Sequence, residues 1–248
     1  MITIRHQKRG RFWNYLRSAV HFARGLRSWL GGIDRECSVC SHRGRFLAYG
    51  QPPRFDALCP LCGSLERHRL LALWLRDNSE AYSAKEVLHF APEEVIGEIL
   101  SGDCSRYIDA DLKGGKARHV LNLEDIDLPT ASVDLVLCSH VLEHVNDRMA
   151  LAEISRVLRP GGVALFMVPI IEGWSQTLEA EHLPVEVSTA RDRTLYFGQH
   201  DHVRYYGRDL RDRIRSAGFM LSEFTAREPE VSRHALVRGE VLFVAVKP

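Results

Sequence analysis

No stretch of the 248-residue chain is both apolar and long enough to cross a bilayer, which takes about 20 such residues in a row. Net charge is nearly missing too. The 33 Lys and Arg stand against 32 Asp and Glu, and a balance of +1 gives the whole molecule no strong pull on nucleic acid or membrane. Internal repeats and low-complexity tracts are absent. One local absence says more: residues 1–30 hold no Asp or Glu but seven Lys or Arg (Arg5, Lys8, Arg9, Arg11, Arg17, Arg24 and Arg27). That basic start lacks the uninterrupted apolar core of a secretory signal, so a cytoplasmic location is expected.

What is present describes an ordinary globular protein, 45% hydrophobic and 26% charged. The length suits one large α/β domain with a small N-terminal appendage. Within residues 1–32, Phe12, Leu16, Ala19, Phe22, Ala23, Leu26 and Leu30 recur at helical spacing, and Gly31-Gly32 ends the run. The opposite face carries Asn14, Arg17, His21, Arg24 and Arg27. This basic amphipathic helix docks on its own domain or, through residues 11–30 with Trp13 and Trp29, lies on anionic lipid or RNA.

The six cysteines include four in paired spacing: Cys37-x2-Cys40, eighteen residues, then Cys59-x2-Cys62. In a reducing compartment such pairs indicate metal rather than disulfides. The spacing is that of a four-thiolate zinc site, which has no open position and is therefore structural. Residues 33–78 are read as this module and a connecting helix that starts near Leu65.

From Lys85 the pattern alternates. Apolar runs Val87–Phe90, Tyr107–Ala110, Val120–Leu123, Val133–Cys138 and Val163–Val168 are interleaved with helical segments Glu93–Leu100 and Asp147–Leu158. The rhythm predicts a mostly parallel sheet covered on both faces. Residues 170–206 break it and are read as a cap over a ligand crevice. A helix Asp209–Ala217, a run Phe219–Phe224 and a strand Val241–Val246 complete the domain 85–248.

The stretch SVDLVLCSHVLEHV (Ser132–Val145), followed by LRPGGVALFMVP (Leu158–Pro169), resembles the fourth strand, following helix and fifth strand of class I S-adenosylmethionine-dependent methyltransferases, type 11-like. The resemblance runs from about Lys85 to the end and implies a Rossmann-like seven-stranded sheet with helices on both faces. It implies S-adenosylmethionine as cofactor, with Asp111 of YIDADL on the ribose hydroxyls and Asp109 as the fallback. The family's glycine-rich turn after the first strand is replaced here by VLHFAPEE (Val87–Glu94). Ala91 is small enough for a close approach to the methionine moiety, and Glu93 carries the charge to attract an ammonium or sulfonium. Asn122, Glu124 and Asp125 are alternatives for the adenine. Cys138, Ser139 and His140 follow the fourth strand, facing the methionine part and the substrate. Glu143 and His144 are read as stabilising the helix start, Arg159-Pro160-Gly161-Gly162 as a turn, and His68, His89 and His119 as packing or surface residues.

Methyl transfer needs alignment and, for a hydroxyl or neutral amine acceptor, a base with pKa near 7, which favours histidine. His140, His200 and His202 are the candidates. The last two lie in QHDHVRYYG (Gln199–Gly207), where Arg204, Tyr205 and Tyr206 are candidates for holding the substrate, Arg204 bidentately. The expected enzyme methylates a hydroxyl or amine of a small molecule or glycan. An RNA base methyltransferase with a zinc module is an alternative, against which stand the low overall charge and the lack of an Asn-Pro-Pro-Tyr sequence. A non-catalytic zinc scaffold is the third reading.

Overall fold

The computed structural model describes residues 33–50, 52–113, 117–183 and 185–248. The basic segment 1–32, expected to be helical, lies outside the described residues. Two compact units emerge. The first takes in 33–73 and Ala226–Glu240, the second Trp74–Thr225 and Val241–Pro248. No helix among the described residues is long and apolar enough to cross a membrane.

The first unit is built from two small antiparallel hairpins. In one, β1 (Arg35–Glu36) pairs with β2 (Arg43–Gly44); in the other, β3 (Leu47–Tyr49) pairs with β4 (Arg54–Leu58). The helix α1 (Glu66–Asp77) begins in this unit, and the unit boundary falls within it. A short helix, Glu230–His234, returns from late in the chain. From sequence this stretch reads as part of the domain 85–248; in the structure it belongs to the first compact unit.

The physical reason is Arg69. Its side chain is fully buried and donates hydrogen bonds to the carbonyls of Asp56, Ala57, Ser64, His234 and Ala235, at 2.7–3.2 Å. The guanidinium also lies 4.7 Å over the Phe46 ring. So small a unit buries little apolar surface, and one fork with all its donors used ties three chain segments together. Arg233 adds an ion pair with Glu36, and His234 Nδ1 bonds the Glu36 carbonyl at 2.7 Å.

The second unit follows the predicted rhythm. Its elements run β5 (Glu86–Phe90), α2 (Glu94–Asp103), β6 (Arg106–Asp111), β7 (His119–Val120), β8 (Val133–Ser139), α3 (Asp147–Val157) and β9 (Leu158–Met167). An excursion holds β10 (Leu178–Glu179), α4 (Ala190–Phe197) and β11 (Arg204–Tyr205). Next come α5 (Leu210–Ser216), β12 (Met220–Thr225) and β13 (Val241–Val246). Seven strands form one sheet in the order β12-β13-β9-β8-β5-β6-β7, parallel except for β13, which is antiparallel to both neighbours.

Central position explains composition. β8 (VDLVLCS) is buried at every residue but Asp134, as expected of a parallel strand covered on two faces, and each such Val or Leu contributes about 1.5–3 kcal/mol. The crossovers β5-α2-β6 and β8-α3-β9 move in opposite directions along the sheet. Right-handed connections therefore put α2 and α3 on opposite faces. The Pro160-Gly161-Gly162 stretch, expected as a turn, falls inside β9 where the register against β8 slips between Val133 and Leu135. Of the run Val120–Leu123 only Val120 lies in a strand, which it shares with His119 as β7. Leu123 and Ile126 are buried instead as the anchors of a loop.

Candidate functional site

Strand order reverses between β5 and β8, and a ligand on an open α/β sheet binds beyond the carboxyl ends of the strands at such a point. Register makes this place concrete. Phe90 pairs with Ala110 on one side and Cys138 on the other, and Cys138 with Phe166. The next residues, Ala91, Asp111, Ser139 and Met167, therefore share one level at the edge of the sheet. Both strands flanking the switch leave it through a left-handed residue that is not glycine: Ala91 at φ 47° and His140 at φ 55°. This conformation is uncommon for residues with a Cβ and is concentrated at functional sites. Ala91 N–H is fixed on the Ala110 carbonyl at 2.8 Å and His140 N–H on that of Met167 at 2.8 Å.

Behind Ala91 lies a buried relay. His89, fully buried on β5, meets Tyr107 Oη at 2.8 Å through Nδ1 and Glu93 Oε2 at 3.0 Å through Nε2. Burial pushes the Tyr107 phenol up, so it stays a donor. It therefore donates to Nδ1, and Nε2–H donates to the carboxylate. Glu93 is the N-cap residue of α2 but makes no capping bond with its side chain. The relay instead aims it back at the strand end. Gly97 is required beside it, because a Cβ there would stand 2.9 Å from Tyr107 Oη. Sequence reading had placed His89 among packing residues; the His-x3-Glu spacing across a strand end was the available signal.

Asp111 closes β6, with one oxygen accepting the Lys113 N–H at 3.0 Å. Asp109, the fallback, is paired with Arg118 at 3.0 Å, and the pair keeps its carboxyl below the usual range despite the opposing effect of burial. Asp111 is thus the better placed of the two. Ser139 is buried with an unpartnered hydroxyl, a polar atom that a bound polar ligand would satisfy. On the loop anchored by Leu123 and Ile126, Asn122 and Asp125 are exposed and Glu124 is half-buried. Glu124 accepts the Asn146 N–H at 2.7 Å, and the Asn122 side chain accepts the Glu124 N–H at 3.1 Å.

The candidates for catalysis separate. His200 is exposed on a turn, 3.8 Å from Asp201. His140 is partly exposed, with Nδ1 3.3 Å from Glu143 Oε1. His202 is buried, and its Nδ1 lies 3.0 Å from the Phe197 carbonyl. A carbonyl only accepts, so Nδ1 carries the hydrogen and Nε2 keeps its lone pair. Burial holds His202 below the usual histidine range, Glu143 opposing and His144 reinforcing, so the ring is neutral near pH 7. Glu143 and His144, expected to stabilise the helix start, do otherwise: Asn146 caps α3 by accepting the Met149 N–H. Glu143 is buried, with Oε2 unpartnered.

The expected substrate residues require correction. Arg204 is buried, and its guanidinium is spent on Glu179 (2.9 Å), the Leu142 carbonyl (2.9 Å) and the Val145 carbonyl, with Asp147 at 3.8 Å. No fork remains for an anion. Tyr206 is fully buried, its hydroxyl donating to Leu142 and Asp147 at 3.2 Å. Tyr205 is half-buried and packs edge-on against Trp174. Arg204, Arg213, Glu179 and Asp147 form a frame that fixes the turn after β8 against β11.

The four paired cysteines converge as expected. Cys37 and Cys62 sulfurs are 3.7 Å apart, as are those of Cys40 and Cys59. A zinc–thiolate bond of about 2.3 Å puts tetrahedral sulfurs about 3.8 Å apart, whereas a disulfide brings them to about 2.0 Å. Each knuckle turns through a left-handed residue after its second cysteine, Ser41 (φ 60°) and Gly63 (φ 71°). Ser64 Oγ lies 3.2 Å from both Cys37 and Cys62 sulfurs. The donor set fits a closed metal centre.

Comparison with known proteins agrees with this geometry. Residues 81–166 match the model of a methyltransferase domain. The chain is 42% identical over 116 residues to the "Probable S-adenosylmethionine-dependent methyltransferase" of Mycolicibacterium smegmatis, covering 39% of this chain and 45% of that protein. It is 33% identical over 91 residues to the dimethylglycine N-methyltransferase of Parasynechococcus marenigrum, covering 34% and 32%. The chain thus spans less than half the length of either relative. Among solved structures, the methyltransferase in complex with the Haloferax volcanii Trm112 activator superposes with a TM-score of 0.53 at 16% identity, over 73% of this chain and 91% of that one. Sheet order, matched segment and relatives point the same way: residues 81–166 are similar to a methyltransferase domain, and the relatives they match are S-adenosylmethionine-dependent methyltransferases.

Proposed function

We propose that the protein transfers a methyl group from S-adenosylmethionine to a hydroxyl or amine of a small molecule or glycan, and that the four cysteines hold a structural zinc. The observation that carries the first part is the level shared by Ala91, Asp111 and Ser139 at the switch point, with an orphaned hydroxyl at Ser139. When bound, the cofactor supplies an electrophilic methyl carbon on a sulfonium. Asp111 would accept the ribose hydroxyls, Glu93, held by His89, would face the cationic end, and Ser139 would bond the methionine part. The left-handed turn at Ala91 lets the chain pass close.

On the acceptor side, the neutral His202 offers Nε2 as the atom that takes the proton of the attacking hydroxyl or amine. Its Nδ1 is held on the Phe197 carbonyl, which orients the ring. Arg204 and Tyr206 act by holding this region in place, not by touching the acceptor. The small-molecule class is supported by the dimethylglycine N-methyltransferase among the relatives.

Calorimetry with S-adenosylhomocysteine tests the cofactor half; no binding to the intact chain would refute it. Production of S-adenosylhomocysteine against a panel of hydroxyl and amine acceptors tests the rest. His202→Ala should lower turnover about 100-fold while cofactor affinity stays nearly constant. An equal turnover would remove His202 from the chemistry.

A further inference from the structure

We propose that Glu143, His144 and His202 form a second metal site, open where the cysteine centre is closed, that takes a divalent first-row transition cation. One ligand atom from each of the three residues lies within 4.8 Å of the others. Proximity alone would carry little. Three further observations make it a built site.

The first is the state of the donors. His202 Nδ1 is engaged with the Phe197 carbonyl at 3.0 Å, and His144 Nδ1 with the Asp201 carbonyl at 3.2 Å and its carboxylate at 3.5 Å. Both rings therefore carry their hydrogen on Nδ1 and present Nε2 with its lone pair. Donation of the second ring N–H to a carbonyl or carboxylate is how proteins orient metal-binding histidines. The rings stand nearly perpendicular, at 82° with centroids 4.7 Å apart, in an edge contact rather than a stack.

The second is the carboxylate. Glu143 is 1% exposed, and its Oε2 has no hydrogen-bond partner. A buried, unpartnered carboxylate oxygen destabilises the fold unless something cationic satisfies it. His140 holds only the other oxygen.

The third is the frame. Val203 N–H bonds the Glu143 carbonyl at 2.9 Å, joining the segment that carries His202 directly to the turn that carries Glu143 and His144. Arg204 bonds the carbonyls of Leu142 and Val145, which bracket that turn. Hydrogen bonds thus fix the ligands' backbones from both sides.

Two imidazoles and one carboxylate suit Mn²⁺, Fe²⁺, Co²⁺ or Zn²⁺, and three protein ligands leave positions open to water or substrate. The role of the ion rests on the methyl-transfer reading: a hydroxyl acceptor that enters an open position is acidified by the cation and loses its proton to solvent. In the metal-free chain His202 Nε2 takes the proton itself; with the ion bound, it holds the cation and solvent takes the proton.

The test titrates the full chain, isolated with its cysteine centre filled, with Mn²⁺ followed by electron paramagnetic resonance, and with Zn²⁺ followed by metal analysis. S-adenosylhomocysteine binding is measured in parallel. The wild type should take up one ion per chain beyond the cysteine centre. Glu143→Gln and His202→Ala should weaken that uptake at least tenfold and leave S-adenosylhomocysteine affinity within a factor of two. The proposal is overturned if neither ion binds beyond the cysteine centre, or if both variants bind like the wild type. Loss of S-adenosylhomocysteine binding by the wild-type chain would instead refute the methyltransferase reading, leaving the metal titration to be judged by itself.

Discussion

The two clusters of ligand-bearing side chains are built on opposite plans. In the first unit, four sulfurs converge within 4.8 Å of one another on two tight knuckles, a set that would fill all four positions of a tetrahedral ion. In the second, Glu143 and His144 come from a turn after β8, while His202 arrives from 58 residues later, and an oxygen and two nitrogens are left over. A closed centre stabilises a fold; an open one has something left to do.

Cysteine replacement should break the closed side most severely. Cys59→Ser should remove the zinc and with it the cooperative folding of the first unit, since structural zinc supplies on the order of 10 kcal/mol in small domains. Metal analysis and hydrogen exchange check this. A variant that keeps about one zinc per chain and its protection would refute the zinc assignment.

Arg69→Met should come next. It takes the Arg69 donor from five carbonyls, of which Ser64 keeps the Cys59 N–H and Asp56 is only partly buried; with about 1–3 kcal/mol for each group left unsatisfied the loss should reach about 3 kcal/mol or more. Denaturant unfolding of the first unit is the measurement; a change below about 1 kcal/mol would mean the segment is held otherwise.

A smaller effect is expected on the open side. Asp111→Ala should weaken S-adenosylhomocysteine binding at least tenfold, because a charged hydrogen bond contributes about 1.5–3 kcal/mol. Stability should barely change, which separates a binding carboxylate from a structural one. Unchanged affinity would shift the ribose contact to another residue.

The smallest effect lies in acid. Burial raises the pKa of Glu179, but hydrogen bonds from Arg213 and Arg204 outweigh it and bring the carboxyl down to about 2. A carboxylate depressed from 4.5 stabilises the folded state above pH 4.5, and that contribution is lost as pH falls toward 2. Glu179→Gln should therefore flatten the acid arm of the stability curve in this window, seen in melting temperature against pH. An unchanged slope would show that the frame around Arg204 does not depend on this charge.

Legibility followed the same division. The cysteine knuckles and the strands β5, β6, β8 and β13 were readable because spacing and burial act over a few residues. Asp111 and Ser139 were named by the resemblance, and the register of three strands brings them to one level. Arg69 was not readable: its acceptors lie up to 166 residues away, and a single Arg in an amphipathic helix looks like a surface charge. Arg204 was misread for the same reason. Its surroundings, Glu179, Asp147 and two carbonyls, are assembled by the fold and absent from the local pattern. Glu143 and His144 looked like helix-start residues because the true cap, Asn146, follows within three positions.

The return of Ala226–Glu240 to the first unit sets an order for biosynthesis. A chain emerging from the ribosome presents both cysteine knuckles early, yet Arg69 must wait for the carbonyls of His234 and Ala235. Domains generally fold as units, the amino-terminal ones first. Here the amino-terminal unit cannot be completed until every strand of the sheet but β13 has been translated.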